Sequence, residues 1–426
     1  MRIVVLSDQI PPREKGGAGL TAFEQARMLA AGGHEVSVIC TSDRQAEPLR
    51  EETRAGLRIF TLRSRYPERL RSWFCLYNPL VAPAVGRLLH RLRPEIVHAH
   101  NLHKHLSFQS LAAAKATGAR LYLTAHDALL FHYGKFWEFI PRNNPLVRET
   151  EVNLRLSEWR KLRRAGFGYN PLRTAVIRRR LRDVDRILAV SASLKAALVA
   201  NGISNVQVCH VGRDASLWLD PPKAEELEAF LRRWHLAGRA PILLAGRPNI
   251  LKGSLQAVKI LKAVRNKISE AVLLVLGQGP LLAEMCRLAG ELGIAHSVVT
   301  PGWLEPEQAR LGYYACRIAI VPSLYLDPFP AVSLEAMAAA RPVVGTCFGG
   351  TKEAVIDGET GFIANPFDVE EFAARIVELL ADADLAAEFG RRGRERFERY
   401  FTMECFIERL LSHYAGLATG GEPAKP

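Results

Sequence analysis

Residues 318–365 read IAIVPSLYLDPFPAVSLEAMAAARPVVGTCFGGTKEAVIDGETGFIAN. Two short apolar runs, 318–321 and 342–345, are each too short for a helix and are closed by a Pro, Gly or Ser. Between them, residues 330–340 are rich in Ala, Leu, Glu and Met, which favour a helix. The stretch therefore predicts a strand, a loop, a helix and a second strand, which is the repeating unit of a parallel α/β sheet.

Two carboxylates of this stretch lie where a parallel sheet places its ligands. Asp327 belongs to the loop after the first strand, and Glu335 belongs to the helix that follows. Ligands of open parallel sheets bind beyond the carboxyl ends of the strands, against helix N-termini. We therefore take both acids as candidate ligand contacts; two solvated acids at a helix start are the alternative.

Short apolar runs alternate with helical patterns on both sides of that stretch. The predicted strands lie at 3–7, 36–40, 57–62, 96–100, 121–125, 187–190, 206–211, 242–246, 271–276 and 298–300. This alternation predicts an α/β protein with two Rossmann-like, doubly wound parallel-sheet domains that face a cleft. We place an N-terminal domain at 1–215, a linker at 216–239, a C-terminal domain at 240–395, a helix at 396–416 and a disordered tail at 417–426. The pattern breaks for about fifty residues after Asp127.

Composition fits a soluble globular protein. The 426 residues are 48% hydrophobic and 24% charged, and no apolar run approaches the ~20 residues of a membrane span. The N-terminus enters a strand pattern directly, without a signal-peptide layout, so we expect a cytoplasmic protein. Seven scattered cysteines favour buried thiols in a reducing compartment over a disulfide framework or a zinc site.

The positive charge is concentrated in the first half. Residues 1–215 carry 34 Lys and Arg against 18 Asp and Glu, a net +16, whereas the remainder carries 23 against 26, a net −3. Residues 131–186 interleave basic and aromatic side chains, which is typical of a surface that binds an anionic membrane or nucleic acid. No nucleic-acid-binding motif accompanies them, so we prefer a role at the inner face of the plasma membrane or on a lipid phosphate. A solvated basic face is the alternative.

Other candidate contacts follow predicted strands. Arg247 and Lys252 lie five residues apart at a strand-to-helix turn, where two cations can hold a diphosphate. Gly17, Ala18 and Gly19 precede a helix, and their spacing differs from the Gly-x-Gly-x-x-Gly fingerprint, which counts against a dehydrogenase.

Histidines cluster at two further strand ends. Four of them occupy residues 98–105, but no cysteine, and no carboxylate nearer than Glu95, completes a metal set. We therefore predict no metal, and expect the end of this strand to line the cleft. His126 directly follows the strand at 121–125 and is a candidate site residue. The alternative is a surface histidine whose hydrogen bonds are satisfied.

The ordered motifs resemble those of family-4 retaining glycosyltransferases with the GT-B fold, of the bacterial surface-polysaccharide type. The resemblance covers essentially the whole chain and rests on Asp327 to Glu335, Gly349-Gly350-Thr351 and Gly361-Phe362. The family pattern is Glu, seven residues, Glu, so Asp327 departs from it by one methylene. A second departure places Val211 and Arg213 where the family has Asn and an apolar residue.

The resemblance implies a role for each candidate residue. Glu335 accepts hydrogen bonds from the ribose of a nucleotide sugar, and His126 contacts the transferred sugar or its leaving group. Arg247, Lys252 and Asp327 complete the catalytic set with His126. The remaining donor contacts are Gly17, Ala18, Gly19, Phe329, Pro330, Ala331, Val332, Ser333 and Leu334.

We therefore expect a retaining, metal-independent hexosyltransferase without a cofactor. Its nucleotide-diphospho-sugar donor binds the C-terminal domain, and its saccharide or polyprenyl-diphosphate-linked acceptor binds the N-terminal domain, onto which the C-terminal helix packs back. The sequence offers no obvious nucleophile, which favours front-face transfer. The alternatives are a catalytically inactive sugar-nucleotide-binding scaffold, a GT-B sugar-nucleotide epimerase and, from charge alone, a nucleic-acid-binding protein.

Overall fold

A computed structural model describes residues 1–12, 17–140 and 153–416. The chain divides into two compact units. The first comprises Met1–Lys135, Leu154–Gly212 and the segment that begins at Met403, and the second comprises Arg213–Thr402 with the described residues between 136 and 153. The disorder predicted for 417–426 lies outside the described residues.

The described residues form fourteen strands and seventeen α-helices. The strands are β1 (Arg2–Ser7), β2 (Glu35–Ser42), β3 (Leu49–Arg54), β4 (Leu57–Arg63), β5 (Ile96–His100), β6 (Arg120–Ala125), β7 (Arg186–Ala189), β8 (Val206–Val208), β9 (Ala240–Ala245), β10 (Ala271–Leu276), β11 (Val298–Gly302), β12 (Ile318–Val321), β13 (Val343–Thr346) and β14 (Gly361–Ala364). The helices are α1 (Gly17–Ala31), α2 (Arg71–Phe74), α3 (Ala82–Leu92), α4 (Gln109–Lys115), α5 (Glu158–Ala165), α6 (Arg173–Leu181), α7 (Ala192–Ala200), α8 (Ser216–Leu219), α9 (Ala224–Arg233), α10 (Ser254–Arg265), α11 (Leu282–Glu291), α12 (Pro306–Ala315), α13 (Ala331–Ala338), α14 (Thr351–Ala354), α15 (Val369–Ala381), α16 (Ala383–Tyr400) and α17 (Met403–Tyr414).

The first unit is built on an eight-stranded sheet in the order β3-β4-β2-β1-β5-β6-β7-β8. All neighbouring strands are parallel except β3 and β4, which pair antiparallel. Every residue of β5 is buried, as expected for a central strand covered by helices on both faces. The chain moves outward from β1 in one direction and returns to β5 beside it, so the switch point of this sheet lies between β1 and β5.

The second unit has a six-stranded, all-parallel sheet in the order β11-β10-β9-β12-β13-β14. Its switch point lies between β9 and β12, which pair directly through Ile318–Ile242 and Ala319–Leu243. Apolar cores pack on both faces of the sheet. The predicted α/β class with two doubly wound parallel sheets is confirmed.

Several segments differ from their predictions. Residues 131–186 were expected to be irregular, yet they contain α5 and α6, whose basic residues obscure the apolar positions on one helix face. Residues 216–239, expected as a linker, form α8 and α9 and bury Trp218 and Phe230 in the second unit.

The C-terminal helical region is divided between the two units. Of the helix predicted over 396–416, residues up to Tyr400 belong to α16 of the second unit, and α17 packs against α1 in the first. Within the described ranges, no helix combines the length and apolar character needed to cross a membrane.

Candidate functional site

The central feature of the second unit is an ion pair at the switch point. Lys252 ends the 3₁₀ turn Ile250–Lys252 that follows β9, and Asp327 lies in the loop that follows β12. Lys252 Nζ lies 2.7 Å from Asp327 Oδ2, and Ser323 Oγ donates to the same oxygen at 2.7 Å. The Asp327 side chain is 4% exposed and the Lys252 side chain 31%. The acid is therefore buried and compensated, while its cation still reaches solvent.

Two close backbone approaches fix the loops that carry this pair. Gly253 has φ +71°, and a Cβ added there would lie 1.8 Å from the carbonyl oxygen of Pro322. Gly349 has φ +92°, and its Cβ would lie 2.2 Å from the carbonyl oxygen of Asp327. Only glycine allows these approaches, which lock the loops after β9, β12 and β13 together.

The second predicted cation, Arg247, is exposed, two residues beyond the end of β9. Asn249 shapes this turn: its Oδ1 accepts from Lys252 N at 3.1 Å, and its Nδ2 donates to Arg247 O at 2.9 Å. One turn thus presents a half-buried ammonium and an exposed guanidinium, a combination that can bind a diphosphate.

Glu335 lies in the first turns of α13, whose earlier residues include the predicted donor contacts Ala331 to Leu334. Its Oε2 accepts from Tyr313 Oη at 2.5 Å, and Arg213 Nε lies 3.8 Å from its Oε1. Burial, and then the nearby Glu335 charge, raises the pKa of Tyr313 well above its usual value, so this hydroxyl stays a donor. The Glu335 side chain is 18% exposed and can still accept from a ligand.

Arg213 lies next to the carboxylate of Glu335 in the second unit. This residue, which departs from the family turn, is buried beside Glu335 and donates its backbone N–H to Phe401 O at 2.9 Å. The substitution therefore adds positive charge behind the proposed ribose contact.

In the first unit, the predicted contacts lie at the ends of β1 and β6. Gly17, Ala18 and Gly19 form the first turn of α1, where helix N–H groups have no intrahelical acceptor. His126 directly follows β6, and its Nε2 lies 2.8 Å from His100 Nδ1, so the ends of β5 and β6 are linked.

The histidines of β5 are both buried and stack on each other, with ring centroids 4.6 Å apart. His98 is fully buried beneath α17, with Nδ1 2.6 Å from Tyr414 Oη and Nε2 2.7 Å from Thr124 Oγ1. Gln25 Nε2, a donor, approaches His98 Nδ1 at 3.2 Å, which makes Nδ1 an acceptor and places the ring proton on Nε2. Across the described ranges, no group of three or more His, Cys, Asp or Glu is arranged to hold a metal.

These buried histidines predict acid sensitivity. Burial lowers the pKa of His98 to about 3 and lowers that of His100 and His103 well below 6.5. Below pH 6.5 the unfolded state therefore binds more protons than the folded state. The free energy of unfolding is highest above pH 6.5 and decreases as the pH falls. Each histidine contributes up to about 1.4 kcal/mol per pH unit. Denaturant titrations between pH 7 and 5 should show this dependence of the free energy of unfolding on pH. The dependence should be weaker in His98→Gln and unchanged in His90→Gln, a control at an exposed residue.

Asp8 is an acid at the carboxyl edge of the first sheet that the sequence patterns did not single out. It follows β1, and its carboxylate accepts from the backbone N–H groups of Lys104, His105 and Leu106 at 2.7–2.8 Å. An acid directly after the first strand of a doubly wound sheet was the available signal. Tyr313 and Ser323 donate hydrogen bonds to Glu335 and Asp327. No sequence motif marked them, because they occupy unremarkable positions in a helix and a loop.

A cation, a buried acid and a helix N-terminus at the switch point of a doubly wound sheet are typical of proteins that bind nucleotides or phosphates. Residues 15–217 match the family described as Glycosyltransferase Family 4, and residues 235–396 match Glycosyl transferases group 1. The chain belongs to this glycosyltransferase family, has the GT-B fold and transfers a sugar from a nucleotide sugar.

Individual proteins agree with that assignment. Glycogen synthase of Mycobacterium tuberculosis is 26% identical over 100% of this chain and 97% of its own length. Alpha-maltose-1-phosphate synthase of Mycolicibacterium smegmatis is 31% identical over 61% of this chain and 70% of its own. The crystal structure of Anabaena HepE in complex with UDP superposes with a TM-score of 0.69 at 19% identity, covering 98% of this chain and 100% of that one.

Proposed function

We propose that this glycosyltransferase moves a hexose from a nucleotide-diphospho-sugar to a saccharide or lipid-linked saccharide, with retention of configuration and without a metal. The observation that carries the proposal is the Lys252–Asp327 pair at the switch point, followed by a helix whose Glu335 is held by Tyr313. The pathway we infer is cell-surface polysaccharide synthesis at the inner membrane face, on the ground of the basic first half of the chain.

In this proposal each predicted residue has one task. Lys252 and Arg247 bind the donor diphosphate and stabilise the charge that develops on it as the anomeric C–O bond breaks. The departing diphosphate oxygen takes the proton of the acceptor hydroxyl, which attacks from the same face. Asp327 positions Lys252, because both Lys252 and Ser323 are bonded to its Oδ2.

The donor contacts complete the arrangement. Glu335 receives the ribose hydroxyls, and the backbone from Phe329 to Leu334 faces the sugar and the diphosphate at the start of α13. Gly17, Ala18 and Gly19 supply N–H groups from the first unit, and His126 contacts the sugar.

Donor binding tests the proposal directly. Thermal shifts with UDP-, GDP-, ADP- and TDP-sugars should identify one base, since a ligand present at 100 times its Kd stabilises by about 2.7 kcal/mol. Glu335→Ala should weaken binding of that donor about 10- to 100-fold, because hydrogen bonds to a carboxylate are worth about 1.5–3 kcal/mol each. Glu370→Ala removes an exposed acid of the same unit and should leave the shift unchanged.

One alternative has specific support. Asp327 is shorter than the family glutamate and its Oδ2 is engaged, which favours an inactive sugar-nucleotide-binding scaffold. Such a scaffold would bind the donor with the same Glu335 dependence, yet neither transfer the sugar nor hydrolyse the donor. Release of the free nucleotide diphosphate at a rate that depends on acceptor concentration would exclude it.

A further inference from the structure

A pocket of about 210 Å³ lies within the first unit. It is bounded by α2, by the 3₁₀ turn Ala128–Leu130 after β6, and by the region from α5 to the start of α6. A pocket for a whole drug-sized ligand usually spans about 300–1,000 Å³. This one is therefore sized for a single chemical group of a larger molecule.

The lining of this pocket is strongly positive. It includes Arg69, Arg71, Arg164 and Arg173, against the single acid Glu68. Glu68 forms an ion pair with Arg71 at 3.4 Å, but its side chain is 77% exposed, so solvent screens the pair and it offsets only part of that charge. The four guanidinium groups therefore favour a ligand of more than one negative charge.

Two buried polar atoms of the lining have no strong acceptor among the residues that the structure describes. Arg173 is 2% exposed; one end of its guanidinium donates to Leu129 O and its plane lies over the Tyr133 ring at 4.8 Å. Within the described ranges, its Nη1 has no oxygen or nitrogen partner, and neither has Oγ of Ser72, which is 7% exposed. The guanidinium also interacts with the thiol of Cys75, which is only a weak acceptor. Buried polar atoms are rarely left unpaired, and an Arg nitrogen can only donate. Both atoms therefore lack an acceptor such as an oxyanion.

The pocket also lies at the ligand-binding edge of the sheet. His103 follows β5 by three residues and Leu129 follows β6 by four, and both line the pocket. Parallel sheets bind their ligands at this carboxyl edge. The positive charge extends to neighbours: after burial, Arg71, Lys104 and Arg173 in turn lower the pKa of His103, which therefore stays neutral.

We propose that this pocket binds a phosphate group carried by the acceptor, an inference that rests on the proposed transferase function. A phosphate monoester carries about −1.5 to −2 charge and three acceptor oxygens, which matches several arginine forks and a hydroxyl better than a carboxylate does. Arg71, Arg173 and Ser72 hold the phosphate oxygens, and the saccharide or lipid that carries the group extends out of the pocket.

Calorimetric titration of the full chain with inorganic phosphate tests the site. Arg71→Gln should weaken phosphate binding at least about tenfold, as expected for one lost charged hydrogen bond. Ser72→Ala, a smaller change that spares the arginines, should weaken it in the same direction, and Glu68→Gln should tighten it by removing the acid of the lining. Arg179→Gln deletes an equal charge from an exposed position on α6 and should bind phosphate like the parent.

A second arm separates this site from the donor site and identifies the carrier. Phosphate binding should survive Lys252→Ala; loss in that variant, or no effect of Arg71→Gln, would overturn the pocket assignment. Retention on phosphatidylcholine vesicles that contain phosphatidic acid, reversed by inorganic phosphate, would indicate a lipid carrier. Phosphate binding without retention would indicate a soluble phosphosaccharide, and both results support the site. Intact donor binding with no phosphate binding would remove this inference and leave the transferase proposal standing.

Discussion

Lys252→Ala is expected to lower kcat by about 10²–10³-fold, the usual effect of removing one group that stabilises charge in a transition state. Its ammonium is the cation paired with the buried Asp327 at the junction of β9 and β12, and 31% of its side chain is exposed and available to a diphosphate. The variant also removes the cation that compensates the buried Asp327. Of the two side-chain contacts of Asp327 described above, only the hydrogen bond from Ser323 remains, so the free energy of unfolding should decrease as well.

Three measurements separate these effects. Circular dichroism melts report the loss of stability, donor titration reports binding, and steady-state rates with saturating donor report kcat. The exposed Lys259→Ala on α10 is the matched control and should match the parent in all three. A folded Lys252→Ala variant that transfers sugar at a near-parental rate would contradict the assignment of the diphosphate to the turn after β9.

Gly253→Ala is expected to destabilise the second unit by at least about 3 kcal/mol. An alanine at φ +71° costs roughly 1–2 kcal/mol, and its Cβ, 1.8 Å from the carbonyl oxygen of Pro322, also forces the backbone to move. Such a loss is a large share of the roughly 5–15 kcal/mol that stabilises a typical domain. Urea unfolding followed by intrinsic fluorescence measures it.

Gly238 provides a control for conformation alone. It has φ +73° with no atom within 4 Å of an added Cβ, so Gly238→Ala incurs the backbone cost without the clash. The difference between the two variants isolates the close approach of the loops after β9 and β12. Equal losses in both would show that the loops can separate without penalty.

Sequence patterns were sufficient for the central strands of both sheets and for the candidate site residues in the segments that follow them. Buried parallel strands are continuous apolar runs, so β1, β5, β9 and β12 stand out, and the charged or glycine residues after them mark the switch points. Lys252, Asp327 and Glu335 could be named in this way. The edge strand β3, in which no residue is buried, carries no such pattern.

Contacts between residues distant in sequence could not be predicted. The link from Tyr313 to Glu335 joins two helices, and the three N–H groups around Asp8 come from a loop about a hundred residues further on. The Arg173 pocket is hidden for the same reason: its lining comes from segments of residues 68–75, 103, 129–133 and 164–173 that read individually as basic surface. Only the fold brings those segments together.

The return of α17 to the first unit sets an order of events during synthesis. Tyr414 is fully buried between His98 and Tyr122, so the core of the first unit lacks one of its largest side chains until nearly the last described residues have been made. All the strands of the second unit precede it in the chain. Because α17 is made last, the core of the first unit can be completed only after the second unit has been synthesised. The part of the protein that is translated first is thus the part that matures last.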